Sequence, residues 1–254
     1  MYNIVLYYNS DMSSLPTIDI YHRFTEIHSI MSRDNFYKVY DDIVSTYESV
    51  PYHSMSHGND VMLVGYTLLK NSKIVQYLNK YEILTFLFGM LGHDAAHPGI
   101  GSKTKIDEIR ERFRHSKSPL EEYHYTKTSD ILKKHHVGHY DEFLRHIILA
   151  TDPFLPVEDA EIGLRSNIKD IVKIIKMADV NHAIGSFDKH LEWTWKLENE
   201  LGFKLSPKSQ IQFLETHLIP LVRSSETVLS DYVYRCSINN LHENIDFWKR
   251  KLRT

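Results

Sequence analysis

Residues 84–91, Leu-Thr-Phe-Leu-Phe-Gly-Met-Leu, form an apolar helical run that leads straight into Gly92-His93-Asp94-Ala95-Ala96-His97-Pro98-Gly99. An ionised Asp94 held against Met90 and Leu91 is costly to bury unless a cation or strong donor compensates it. The spacing predicts His93 and His97 one turn apart on one helix face, with Pro98-Gly99 stopping the helix just beyond them. Imidazole and carboxylate suit a divalent metal, whereas a lone His-Asp pair also fits an ordinary helix end. Partners elsewhere must decide between the two.

The chain has 254 residues, 10 Gly and 8 Pro, too few turn residues for a strand-rich fold of this length. With its long stretches of 3.6 periodicity it reads as all-α and, lacking repeats or linkers, as a single domain over 1–254. One cysteine, Cys236, excludes an internal disulfide, and the N-terminus lacks a basic signal segment, so a soluble, cytoplasmic protein is expected. No apolar run reaches the ~20 residues that span a bilayer. A formal net charge of -3 with interspersed signs gives no general field for nucleic acid or an anionic membrane. The 16 histidines are a high count.

Residues 2–9 suggest a short extended arm. Helical patterns follow over 18–31 and over 35–50, the second with Asp34 placed as cap. After Pro51, a helix carries a second pair, His53 and His57, four apart; His53 lies either on it or in the entry loop. Residues 101–117 are charge-rich and read as a solvated helix or loop. Ser118-Pro119-Leu120-Glu121 fits a capping box, which alone would explain Glu121. Further helices are expected over 141–150, 168–183, 187–201, 207–224 and 227–252. Asp152 closes the first of these, and Asp179 borders the apolar stripe of Ile171, Ile174, Ile175 and Ala178 in the second.

His57, His93-Asp94 and Asp179 thus form the ordered set H, HD, D on three helices, a pattern similar to that of the HD superfamily of metal-dependent phosphohydrolases. With Tyr52-His53, His97-Pro98-Gly99, Thr151-Asp152, Trp193-Thr194, Ser209-Gln210, Phe213 and Pro220-Leu221, residues 35–225 resemble the catalytic domain of class I 3′,5′-cyclic-nucleotide phosphodiesterases. The resemblance implies a compact multi-helix bundle around a two-metal site, zinc in the tight position and magnesium or manganese in the other. Its ligands would be His57, His93, Asp94 and Asp179, Asp94 bridging both ions. His97, His124 and Asp152 match supporting positions.

The implied reaction is hydrolysis of a 3′,5′-cyclic purine nucleotide, cAMP or cGMP, to the 5′-monophosphate by a hydroxide held between the metals. His53 would protonate the leaving oxygen, with Glu121 as its partner acid. Tyr52, His182, Leu197, Gln210 and Phe213 would form the substrate pocket. The N-terminal helical region (1–50) looks reduced, Tyr123 and Pro156 stand where His is usual, and His182 replaces a frequent Asn. No regulatory domain is expected on either side. The other readings are an HD phosphohydrolase of noncyclic nucleotides and an inactive cyclic-nucleotide-binding relative.

Overall fold

Three helices approach one another so closely at Gly65 that a Cβ there would lie 3.4 Å from Ala178, Met90 and Phe86. They are α2 (Met55–Lys70), α3 (Lys80–Leu91) and α8 (Ile171–Asp179) of a computed structural model that describes residues 20–253. The architecture is all-α: among the described residues the only β pairing is an isolated bridge between Ser72 and Leu229. The other helices are α1 (Arg33–Val44), α4 (Lys103–Arg112), α5 (Pro119–Lys134), α6 (Asp141–Leu149), α7 (Val157–Ala160), α9 (Asn181–Ile184), α10 (Phe187–Leu201), α11 (Pro207–Phe213), α12 (Ile219–Ser224) and α13 (Asp231–Leu252).

Helix α3 is the central element, buried continuously from Glu82 to Leu91 and packed against α2 and α6. Its start is fixed by a capping box: the Asn79 side chain accepts from Tyr81 N and Glu82 N, and Glu82 accepts from Asn79 N. It ends at Leu91, earlier than expected. Gly92 turns the chain out of helical geometry and Ala96 has φ 60, so His93 and His97 lie on a tight turn rather than on a helix face. The turn still points both imidazoles inward, where each is almost fully buried.

Other expectations shift at the ends. The segment expected as a helix over 18–31 is, where described, two 3₁₀ turns, Ile20–Arg23 and Thr25–Ile27. Between them Phe24 leaves helical geometry to bury its ring edge-on against Tyr66. The arm expected over 2–9 lies outside the described residues. Ser32, not Asp34, caps α1 by accepting from Asn35 N. Ser118 does not form the capping box: its hydroxyl donates to Asp152 Oδ2 at 2.6 Å, although Pro119 opens α5 as predicted. The helix expected over 168–183 ends at Asp179 and resumes as the short α9.

The helix expected over 207–224 is interrupted by a π-helical turn, Leu214–Leu218, between α11 and α12. Pro220 has no N–H to return to the preceding turn, and Ile219 N instead donates to Leu214 O, one residue further back than in an α-helix. Helix α13 closes the bundle, with Trp248 Nε1 donating to His190 Nε2 at 2.8 Å and Asn244 Nδ2 donating to Ala183 O at 3.0 Å. Among the described residues no helix is long and apolar enough to cross a membrane.

Candidate metal centre and active site

Helix α2 brings His57, the turn after α3 brings His93 and Asp94, and the end of α8 brings Asp179 to one point. His57 Nε2 and His93 Nε2 lie 3.1 and 3.2 Å from Asp179 Oδ1, and His93 Nε2 is 3.2 Å from Asp94 Oδ2. His57 Nε2 is 3.7 Å from Asp94 Oδ2. The four side chains expected as ligands therefore converge. His93 donates Nδ1–H to Met90 O at 2.8 Å, which fixes Nε2 as the ring nitrogen that faces the carboxylates.

This donor set fits a divalent metal. His93 Nε2 is buried without a well-aligned hydrogen bond, as are both ring nitrogens of the neighbouring His124. His57, His93 and Asp179 offer ligand atoms within 4.8 Å of one another. Burial opposes the charged forms here, yet Asp94 raises the His93 pKa well above its ordinary value, and His93 in turn lowers Asp94 and, with His57, Asp179. His124 stands 3.7 Å from Asp94 Oδ1, and burial pushes its pKa down to about 3.

His53 lies in the loop before α2, its ring 6.4 Å from that of His57. Its partner acid is Glu200 of α10, not Glu121: His53 Nδ1 is 2.6 Å from Glu200 Oε1. Glu200 also accepts from Tyr52 N at 2.8 Å, His53 N at 3.0 Å and Ile100 N at 3.0 Å. Burial would raise its pKa, but the His53 bond and charge, with these N–H groups, hold it at about 2. An ionised carboxylate only accepts, so His53 Nδ1 carries a proton and Nε2 is left for chemistry. Burial lowers the His53 pKa, but Asp94 and Glu200 outweigh it and the net shift is upward.

His97 stacks on His53 at 3.9 Å between ring centroids, and its Nδ1 accepts from Gly99 N at 3.0 Å. Burial and the neighbouring His53 charge lower its pKa to about 4, so it stays neutral beside a protonatable ring. Although His53, His97 and Glu200 could also be taken for a metal cluster, Glu200 is already committed to four donors. The sequence did hold a signal for Glu200, which follows Trp193 and Leu197 at helical spacing on the inner face of α10 and is itself buried.

Glu121, largely buried on α5, has its pKa pushed up to about 7 by burial and then by Asp152. Asp152 itself accepts from Ser118 Oγ and, at 2.8 Å, from Phe154 N. A cleft of about 750 Å³ runs from Asp179 and Lys176 past Thr151 and Pro153 to Phe213, His217 and Pro220. Phe213 stacks on His217 at 5.6 Å. Gln210 and Leu197 are half-buried and not part of this wall. Nor is His182, which is buried between Tyr52, whose hydroxyl lies 3.1 Å from its Nε2, and the stacked ring of Trp193.

A helical frame that gathers two imidazoles and two carboxylates beside a carboxylate-held histidine defines a candidate metal-dependent hydrolase site. The chain belongs to the 3′5′-cyclic nucleotide phosphodiesterase family, whose profile matches residues 52–204. It is 24% identical over 84% of its length to a cGMP-specific 3′,5′-cyclic phosphodiesterase gamma of Plasmodium yoelii, and covers 33% of that protein. It is 23% identical over 86% of its length to a cGMP-specific 3′,5′-cGMP phosphodiesterase 3 of Dictyostelium discoideum, covering 56% of it. A dual specificity calcium/calmodulin-dependent phosphodiesterase 1C of Homo sapiens is 23% identical over 71% of this chain, which covers 31% of it. The chain therefore spans between about a third and just over half of these relatives. The phosphodiesterase domain of a RhoPDE fusion protein from Salpingoeca rosetta shares the fold, with TM-score 0.72, 19% identity and coverage of 95% of this chain and 92% of that one.

Proposed function

We propose that this chain is a single catalytic unit that hydrolyses a 3′,5′-cyclic purine nucleotide to the 5′-monophosphate. The observation that carries the reading is the convergence of His57, His93, Asp94 and Asp179 beside the His53–Glu200 pair. Those four residues would hold the metals, zinc in the tighter position and magnesium or manganese in the other, with His97, His124, Asp152 and Glu121 around them. Bound there, divalent ions supply a water of pKa roughly 7 and polarise the phosphoryl oxygens.

The chain's own residues do the rest. Glu200 keeps His53 oriented and charged, and His53 Nε2 gives its proton to the departing 3′-oxygen, which leaves as the free hydroxyl. Neutral His97 packs under that imidazole without competing for the proton. Phe213 offers a stacking face in the cleft, and Gln210, three residues earlier on α11 and outside the cleft wall, carries an amide that would have to turn toward the cleft to donate and accept at a base edge. The single free Cys236 suits a reducing, cytoplasmic setting.

The test is hydrolysis of cAMP and cGMP with and without added divalent metal. The names of the Plasmodium and Dictyostelium relatives favour cGMP, whereas that of the human relative favours both nucleotides. Metal-dependent release of 5′-monophosphate is expected. Turnover of noncyclic nucleotides alone would move the chain to the wider phosphohydrolase class, and metal-free binding without turnover would make it an inactive relative.

A further inference from the structure

Lys176 stands one turn before Asp179 on α8 and lines the same cleft. Its Nζ donates to the main-chain oxygen of Asp152 at 2.7 Å. An ammonium has three donors, so this bond leaves two unspent. The other lysine of the cleft wall, Lys173, is paired with Asp170 at 2.5 Å. Among the described residues Lys176 has no ion pair with a carboxylate, although Glu158, Glu161, Asp170 and Asp179 all line the cleft. The wall is therefore mainly acidic, a poor surface for an anion, except where this half-buried ammonium faces it.

We infer that Lys176 is a specificity-determining residue of the cleft, binding the phosphate of the anionic nucleotide and of its 5′-monophosphate product. The inference rests on the cyclic-nucleotide reading above for the identity of the ligand. The charge acts in a partly desolvated site, where a bond from an ammonium to phosphate exceeds one between neutral groups. A product bearing nearly two negative charges gains more from it than a cyclic substrate bearing one.

Calorimetric binding of a purine nucleoside 5′-monophosphate and of the matching neutral nucleoside tests this on wild type, Lys176→Gln and Lys176→Met. Gln retains an N–H donor without the charge, and Met removes both. Expected is a loss of roughly tenfold or more in monophosphate affinity in both variants, with nucleoside affinity, metal content and thermal midpoint near wild type. An unchanged ratio of the two affinities, or loss in Met but not in Gln, would make Lys176 only a strut for the Asp152 turn and overturn the inference. Should the variants not fold, acylation of Lys176 in the wild-type protein, read by peptide mass spectrometry, carries the test. Protection by the monophosphate but not by saturating nucleoside supports it. Equal protection, no protection, or no labelling in the free protein refutes it. Absence of cyclic-nucleotide hydrolysis by the wild type would instead defeat the functional reading, without altering the binding comparison.

Discussion

Glu200 and His53 meet across 147 residues of sequence, Oε1 to Nδ1 at 2.6 Å. The pair joins the last turn of α10 to the loop that opens α2, and it fixes which nitrogen of His53 is free to act.

Glu200→Gln removes one of the charges that, after Asp94, raise the His53 pKa against burial. His53 has a raised folded pKa, so the stability it contributes is complete below its ordinary value near 6.5 and is lost as pH rises through the folded value. The variant should lose rate by roughly ten- to a hundredfold and show its alkaline fall in kcat/KM at lower pH than wild type. Rate against pH, with metal content checked, is the measurement; an unmoved alkaline limb would remove Glu200 from this role.

His53→Ala should retain metal and lose about 10²- to 10⁴-fold on cyclic nucleotides. An activated aryl phosphodiester, whose leaving group needs little protonation, should lose much less. Equal losses on the two substrates, with metal intact, would deny His53 the proton transfer.

Asp179→Asn or His93→Ala should abolish tight metal binding, and chelation should lower the thermal midpoint of the wild type but not of these variants. In the metal-free chain Asp94 and Asp179 have lowered pKa values. The stability they contribute is present above the ordinary carboxylate range and is lost as pH falls through their folded values. Acid melting curves of the chelated protein read this directly.

Glu121 behaves in the opposite sense. The folded chain holds its proton up to about pH 7, so ionisation costs stability from the ordinary carboxylate range upward and is complete above 7. Chelated Glu121→Gln should therefore be more stable than wild type at pH 8, by on the order of 2 kcal/mol, and little changed at pH 4. Its alkaline rate limb should stay where the wild type has it, in contrast to Glu200→Gln.

Gly92→Ala should destabilise by roughly 1–3 kcal/mol, because the added Cβ would stand 2.4 Å from Thr128 Oγ1, which now donates to Gly92 O. Denaturant midpoints compare it with Thr128→Ser, which keeps the hydroxyl and should cost less.

The helices and the four candidate ligands were legible because each ligand borders an apolar run whose period is strong: α3 for His93 and Asp94, α8 for Asp179. What periodicity could not deliver was the turn after Leu91, where Ala96 takes a positive φ and the inward aim of His97 comes from backbone geometry, not from helix phase. Ser118 misled because its sequence context satisfies a local motif, while its hydroxyl goes to Asp152, 34 residues away. The resemblance alone makes Glu121 the expected partner acid of His53 and does not point to Glu200; which acid reaches His53 is a long-range fact, although the inner face of α10 held the clue.

The π-turn at Leu214–Leu218 gives the helix one residue more than its pitch needs. Deleting any one of those five residues would let the strand of chain wind normally, yet it would swing Pro220 and Leu221 by about 100° relative to Phe213 and tear the cleft wall apart. The exposed Glu215 and Thr216 are thus open to replacement and the buried Leu214 and Leu218 only to other apolar residues, while the length of the stretch is fixed. In a library of variants it should accept many substitutions at its exposed positions and almost no single-residue insertions or deletions, whereas a surface loop tolerates changes of length.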